Sequence, residues 1–390
     1  MLKLFRSKKL RSFLLTAALL CSAAALIAAP GEAAAGAKDG LLLCFNVIVP
    51  SLFPFFILST LVVDLGLAAQ LGRAMEKIMR PLFRVDGSCA AAVALGFIGG
   101  YPVGARTALQ LYQQGQCSKT EAERLLAFCN NSGPAFILGV VGAGIFGDGR
   151  VGFLLYLTHA LASLMVGLLF RFHGKETGGR AVRHTKPIET LTLPAAFTGA
   201  VTGALGNTLN ICAFVIFFSV VLRLLTAYGL LTALAGFLTA AGFQQEWAYR
   251  LVAGILELSS GVSSLSGGGK FVSLASMAAF MLGWAGLSVH CQVLTFLVDS
   301  GLSARTYLAG KLCHGLFAAA LTWLLARFVP MDEPVIYYLA AQADTLARLD
   351  FSSTLTASVG IALVIGLLLS LFCLPHFKKR GGKTPHHHVY

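Results

Sequence analysis

Residues 88–113 read SCAAAVALGFIGGYPVGARTALQLYQ, and residues 248–266 read AYRLVAGILELSSGVSSLS. Both runs are apolar enough to enter a membrane, and both are interrupted. The first carries Gly96, Gly99, Gly100, Pro102 and Gly104. The second carries Gly254, Gly261 and a serine cluster, and Gly267, Gly268 and Gly269 follow it. A straight transmembrane helix needs about 20 consecutive apolar residues. Irregular backbone at membrane depth is tolerated only where protein or a wet cavity satisfies its polar groups. Each run therefore reads as a re-entrant hairpin that enters and leaves on one side.

Composition places these hairpins in a bilayer. Of 390 residues 56% are hydrophobic and 12% charged, and mean hydropathy is +0.77. Soluble domains carry about 25% charged residues, so lipid has to be the solvent for much of this chain. The net charge of +13 does not point to nucleic acid, because most Lys and Arg sit in short loops beside apolar runs, where they set topology. Most of the nine cysteines lie in apolar stretches, without CxxC spacing, and read as small hydrophobes. His386, His387 and His388 read as a tail feature rather than a metal site.

Candidate spans are 12–29, 41–65, 125–146, 151–172, 196–226, 271–298, 306–328 and 355–374. The first follows Lys3, Arg6, Lys8, Lys9 and Arg11 and reads as a retained helix rather than a cleaved signal peptide. With the N-terminus in the cytoplasm and both hairpins re-entrant, every strongly basic loop falls inside, and so does the C-terminal tail. The acidic loop 330–351 falls outside. The chain then divides into five parts. Residues 1–40 hold the basic segment and first helix, and 41–172 form a first repeat. A basic cytoplasmic linker occupies 173–195, a second repeat 196–328, and the acidic loop, last helix and basic tail 329–390.

The repeats share an order of parts. Asn46–Gly72 (NVIVPSLFPFFILSTLVVDLGLAAQLG) parallels Asn207–Gly236 (NTLNICAFVIFFSVVLRLLTAYGLLTALAG). A hairpin follows each. Next come the segments from Ala127 to Gly133 and from Ala279 to Gly286, and then a helix bearing His159 or His314 that ends in Arg-Phe. Each half has an odd number of crossings, so the two are inverted relative to one another. Inverted repeats with interrupted helices in matching places mark secondary transporters, with the solute where the interruptions meet.

Several polar residues fall in those interruptions. Arg106, beyond the first glycine cluster, is costly at membrane depth and reads as an anion clamp, with snorkelling as the bland alternative. Glu257 occupies the matching place in the second half. It reads as a proton carrier or cation ligand, or as a charge balance for Arg106. Asn130, Asn131 and Ser132 interrupt the span 125–146 and offer amides and a hydroxyl to a solute. Tyr101, Ser259, Ser260, His290 and Gln292 complete the candidate lining. His159 and His314 read as structural marks of the repeat, and Asp64 and Arg223 as interfacial. No GxSxG, HExxH or P-loop is present, so no enzyme is expected.

The motifs from Gly96 to Ala105 and from Leu126 to Phe136 carry a family resemblance. The chain resembles, over roughly residues 12–375, the sporulation integral membrane proteins of endospore-forming Firmicutes that bear the nucleoside-recognition Gate domain. That resemblance implies an all-α polytopic fold similar to concentrative nucleoside transporters, with paired hairpins around a midplane site. It further implies dipicolinate (pyridine-2,6-dicarboxylate) as the solute, moved across the outer forespore membrane on the mother-cell side. A nucleoside or related metabolite is an alternative solute. A non-transporting membrane factor for cortex or coat assembly is a second class. The expected partners are a small solute and the lipid bilayer, with no cofactor. Proton or sodium coupling and self-association stay open.

Overall fold

The structure is a computed structural model and describes residues 8–174 and 192–328. Among these residues the regular structure is helical throughout. The expected span 355–374, the acidic loop, the tail and most of the linker lie outside the described residues.

The first half runs α1 (Lys8–Ala28), α2 (Pro30–Leu43), α3 (Val49–Asp64), α4 (Leu67–Phe83), α5 (Ala90–Gly99), α6 (Val103–Gln113), α7 (Lys119–Leu126) and α8 (Gly149–Phe170). π-Helical turns at Cys44–Ile48 and Ala135–Ile145 join α2 to α3 and precede α8. The second half runs α9 (Leu193–Ala227), α10 (Leu230–Ala240), α11 (Gln245–Leu256), α12 (Leu258–Ser263), α13 (Phe271–Trp284), α14 (Gly286–Leu297) and α15 (Ala304–Leu325). Four stretches are long and apolar enough to cross a membrane: Gly149–Phe170, Leu193–Ala227, Phe271–Leu297 and Ala304–Phe328. Two sharply bent pairs, Ser12–Ala28 with Pro30–Asn46 (95°) and Arg73–Phe83 with Gly87–Gly99 (92°), bring the total to as many as six. The protein is an integral membrane protein.

Helix α8 shows how lipid shapes the sequence. Phe153, Leu157, Leu161 and Leu168 face outward, while Thr158, His159 and Ser163 are buried. The polar side chains therefore point into the protein and the apolar ones into the solvent, which is what a hydrocarbon surrounding favours.

Three helices were not anticipated from the sequence: α4, α10 and α7, the last started by a capping box of Ser118 and Glu121. Helix α4 forms where a basic loop was expected. Met75, Met79 and Phe83 recur every four residues and turn inward, while Arg73, Lys77 and Arg80 stay exposed. A loop reading based on charge alone misses that amphipathic period. Helix α10 is apolar but has only 11 residues, too few to span. The expected span 41–65 also starts earlier, since the helical backbone is continuous from Pro30 to Asp64.

Helices α5 and α6 fold back on each other about Gly100-Tyr101-Pro102. A Cβ at Gly96 or at Gly104 would collide with the Cys129 carbonyl oxygen, and the two glycines also face each other. Only glycine lets the segment after α7 lie in this groove. Gly100 has φ +79°, and its Cα packs on Gly133. Helices α11 and α12 fold back in the same way about Glu257. There Gly254 faces Gly261, and Met281 packs over both. The tip at Glu257 and Leu258 meets Gly286. Each half thus has a glycine-paired hairpin whose tip abuts the break in the next helix. In the first half that break runs from Ala127 to Gly133; in the second it lies at Ala285 and Gly286. Gly66 and Gly229, between α3 and α4 and between α9 and α10, take matching φ values of +72° and +68°.

Candidate functional site

The hairpin tip of the first half, both helix breaks and the two His-bearing helices converge on one buried polar centre. At the first break the backbone leaves the helix after Leu126, and Asn130, Asn131 and Ser132 are all buried. Their groups find specific partners. The Asn130 side-chain oxygen accepts from the Ala105 N–H at the start of α6 (3.4 Å), and its amide nitrogen donates to Tyr307 Oη (3.5 Å). Asn131 Nδ2 donates to the Phe128 carbonyl at 3.0 Å, leaving Asn131 Oδ1 buried without a partner. The Ser132 N–H donates to His159 Nε2 (3.0 Å). The polar interruption read from the sequence therefore ties α6, α8 and α15 together.

Lys311 lies at the middle of this centre and was not singled out in the sequence. It is fully buried on α15. Its Nζ donates to Tyr101 Oη (2.9 Å), to the Asn130 carbonyl (2.9 Å) and to His314 Nδ1 (3.1 Å), and lies 4.7 Å from the Tyr101 ring centre. Tyr101 Oη in turn donates to the Leu282 carbonyl (2.6 Å), which links the first hairpin tip to the helix before the second break. The usable signal was a lone lysine inside the apolar run 306–328, one turn before His314. Ionisable residues in such runs are rare and usually face the protein interior.

His159 and His314 are more than repeat marks. Their rings lie 4.3 Å apart, and His314 Nε2 donates to the His159 carbonyl (3.0 Å). Two turns of α15 further, Thr322 bonds Thr158 (2.7 Å). His290 is buried, its Nδ1 lies 3.0 Å from Tyr307 Oη, and its Nε2 has no partner. Gln292 is buried on the same helix.

The two charged residues favoured by the sequence stand apart from this centre and from each other. Arg106 is half-buried in the second turn of α6. Its guanidinium lies 5.6 Å from the Phe296 ring centre on α14, its Nε is buried without a partner, and no ion pair engages it among the described residues. Glu257 is buried at the second hairpin tip, where its carboxylate accepts from the Ser259 N–H (3.0 Å) and the Ser260 N–H (2.7 Å). An Arg106–Glu257 pair, one of the sequence expectations, is therefore not formed. The physical reason is local: the carboxylate already caps α12, and free N–H groups at a helix start are the nearest donors it has.

Ser259 and Ser260 are partly exposed. Ser260 borders a cleft of about 460 Å³ that is also lined by Glu32, Asp39, Ser219 and Arg223. Arg223 pairs there with Glu32 (2.7 Å) and Asp39 (3.8 Å). Asp64 accepts from Gln110 (2.8 Å) and Gln114 (2.9 Å), joining α3 to the end of α6.

Comparison with known proteins follows the same architecture. Residues 45–172, which contain the first hairpin, its helix break and α8, match the Gate family, described as nucleoside recognition. The sporulation integral membrane protein YlbJ of Bacillus subtilis (strain 168) is 31% identical over 357 residues, covering 84% of this chain and 86% of that protein. The uncharacterized protein BpOF4_10220 of Alkalihalophilus pseudofirmus is 28% identical over 126 residues, covering 31% of this chain and 27% of that protein. No solved structure matches the chain significantly. Identity at this level along most of both sequences shows that the chain belongs to the family of the sporulation integral membrane protein YlbJ.

Proposed function

We propose that the protein carries a small anionic solute across the membrane, with dipicolinate as the first candidate. The observation that carries this reading is the pair of glycine-packed hairpins, each set tip-first against a helix break, around a buried polar centre. Unwound backbone and half-helix ends at membrane depth are the usual building material of solute sites in secondary transporters. The matched parts (Gly96 with Gly254, Gly104 with Gly261, Cys129 with Met281, Gly133 with Gly286) support two inverted-topology repeats with re-entrant hairpins. Alternating access then comes from one repeat rocking against the other.

The sign of the solute follows from the cations. Arg106 is partly desolvated without an ion pair among the described residues, and a ring contact of the Phe296 kind returns only about 0.5–2 kcal/mol. An arriving carboxylate would restore its hydrogen bonds in a bidentate fork. Glu257, by contrast, is engaged with its own helix, so it opposes an anion less than a free carboxylate does. Asn131 Oδ1 and His290 Nε2 are buried groups still short of a partner and would set solute orientation. The cleft that reaches Ser260 would serve as the polar approach to the second hairpin.

Membership of the YlbJ family supports a role in sporulation, and a place in the outer forespore membrane is what the resemblance implies. The test is equilibrium binding of labelled dipicolinate to the purified protein, with unlabelled nucleosides as competitors. The proposal expects saturable binding that Arg106→Ala weakens at least tenfold and that nucleosides do not displace. Displacement by nucleosides with no effect of Arg106→Ala would replace the anion reading with a nucleoside one.

A further inference from the structure

Lys311 has an environment built of acceptors. The Tyr101 hydroxyl gives its proton to the Leu282 carbonyl, so its oxygen faces Lys311 as an acceptor. The Asn130 backbone oxygen can only accept. His314 turns Nε2 toward the His159 carbonyl, which places the ring proton on Nε2 and leaves the Nδ1 lone pair facing Lys311. Three acceptors thus converge on one nitrogen. With His314 neutral, the three N–H groups of an ammonium match the three acceptors, whereas the two of a neutral amine leave one unmet.

This cation has no counter-ion among the described residues. The groups that face it are Tyr101 from the α5–α6 link, Cys129 and Asn130 from the first break, and His159 from α8. His290 of α14, with Tyr307 and His314 of its own helix, completes the set. None is a carboxylate. What holds the ammonium is a backbone carbonyl at an unwound helix, a hydroxyl and a ring nitrogen. Carbonyls at helix breaks are the groups with which secondary transporters hold a coupling Na⁺.

We infer that Lys311 is a tethered cation that fills the place of a bound coupling sodium ion at the first helix break. The centre then needs no Na⁺ from solution, and its positive charge is a permanent part of the site that receives the solute. Removing the side chain empties a cation site whose carbonyl, hydroxyl and imidazole remain.

The inference rests on the carrier reading only for the word coupling; the occupancy can be tested without any solute. Radioactive sodium binding and thermal unfolding in NaCl against choline chloride are measured on the purified wild-type protein and on Lys311→Ala. Wild type is expected to bind no sodium saturably and to unfold at the same temperature in both salts. Lys311→Ala is expected to gain saturable sodium binding and a midpoint raised by sodium. Saturable, stabilising sodium binding to wild type overturns the inference, because the cation place would then be unfilled or elsewhere. A folded Lys311→Ala indifferent to sodium overturns it too. If Lys311→Ala does not fold, Lys311→Gly with added methylammonium replaces it, and rescue of folding or stability by that small cation is the expected result. No effect of methylammonium counts against the inference. Failure of dipicolinate binding with these results intact would reject the solute and leave the tethered cation standing.

Discussion

Gly104→Ala and Gly254→Ala make the same chemical change, one in each hairpin, and the structure predicts unequal outcomes. At Gly104 the added methyl runs into the Cys129 carbonyl oxygen. That atom belongs to the backbone of the break, and moving it shifts the adjacent Asn130 peptide, whose oxygen holds Lys311. At Gly254 the added methyl meets Cγ, Sδ and Cε of Met281, a side chain with three rotatable bonds that can swing aside. Alanine is favoured over glycine in a helix interior by about 0.5–1 kcal/mol. Overpacking against atoms that cannot retreat costs about 1–3 kcal/mol, occasionally more. Because the atom struck at Gly104 is a fixed backbone carbonyl, the cost there lies at the upper end of that range, and the balance is a net loss of about 2 kcal/mol for Gly104→Ala and nearly none for Gly254→Ala. At about 1–1.5 °C per kcal/mol for a chain of this length, the first variant should unfold about 2–3 °C below wild type and the second within about 1 °C. Thermal unfolding of the purified proteins in one detergent reads this directly. Equal midpoints for the two variants would refute the claim that the Cys129 backbone is seated between Gly96 and Gly104.

Other consequences are open to the same kind of measurement. Thr158→Val strands the Thr322 hydroxyl and should cost about 1–3 kcal/mol, whereas Thr322→Val should cost about 1 kcal/mol, because Thr158 can still donate to the Leu155 carbonyl (3.1 Å). The double variant should cost less than the sum, and strict additivity in the cycle would contradict the contact. Glu257→Gln puts an amide NH₂ against one of two helix-start N–H groups, so stability should fall by about 1–3 kcal/mol; an unchanged unfolding midpoint would show that the cap is dispensable. Solute uptake should be insensitive to replacing sodium by choline, and a dependence on sodium would argue against Lys311 as the resident cation.

Much of the architecture was legible because glycine and polar interruptions in apolar runs have few physical explanations. The break at Asn130–Gly133 and the turn at Gly100–Pro102 were marked by residues that helices at membrane depth avoid without cause, whereas the break at Ala285–Gly286 falls inside the expected span 271–298, where an apolar Ala-Gly pair gave no polar signal. The alignment of Ala127–Gly133 with Ala279–Gly286 also has a packing counterpart, since Cys129 and Met281 sit over equivalent glycine pairs. Helix α4 was hidden by its basic residues, whose topological meaning drew attention away from the four-residue period of Met75, Met79 and Phe83. At the site, sequence order put Arg106 and Glu257 in matching places, but matching place does not imply contact: Glu257 turned to the N–H groups beside it. Lys311 was overlooked because one lysine barely alters the hydropathy of its run. Its importance comes from Tyr101 and Asn130, which are 210 and 181 residues away in the chain.

The central claim, that this chain carries a small anion through the centre formed by the hairpins and breaks, is tested most directly by uptake. Purified protein in proteoliposomes would be given labelled dipicolinate under proton gradients of either sign, with Arg106→Ala in parallel. The account predicts saturable uptake above empty liposomes in wild type and its loss in a variant that remains folded. Uptake no greater than in empty liposomes under every gradient would contradict it.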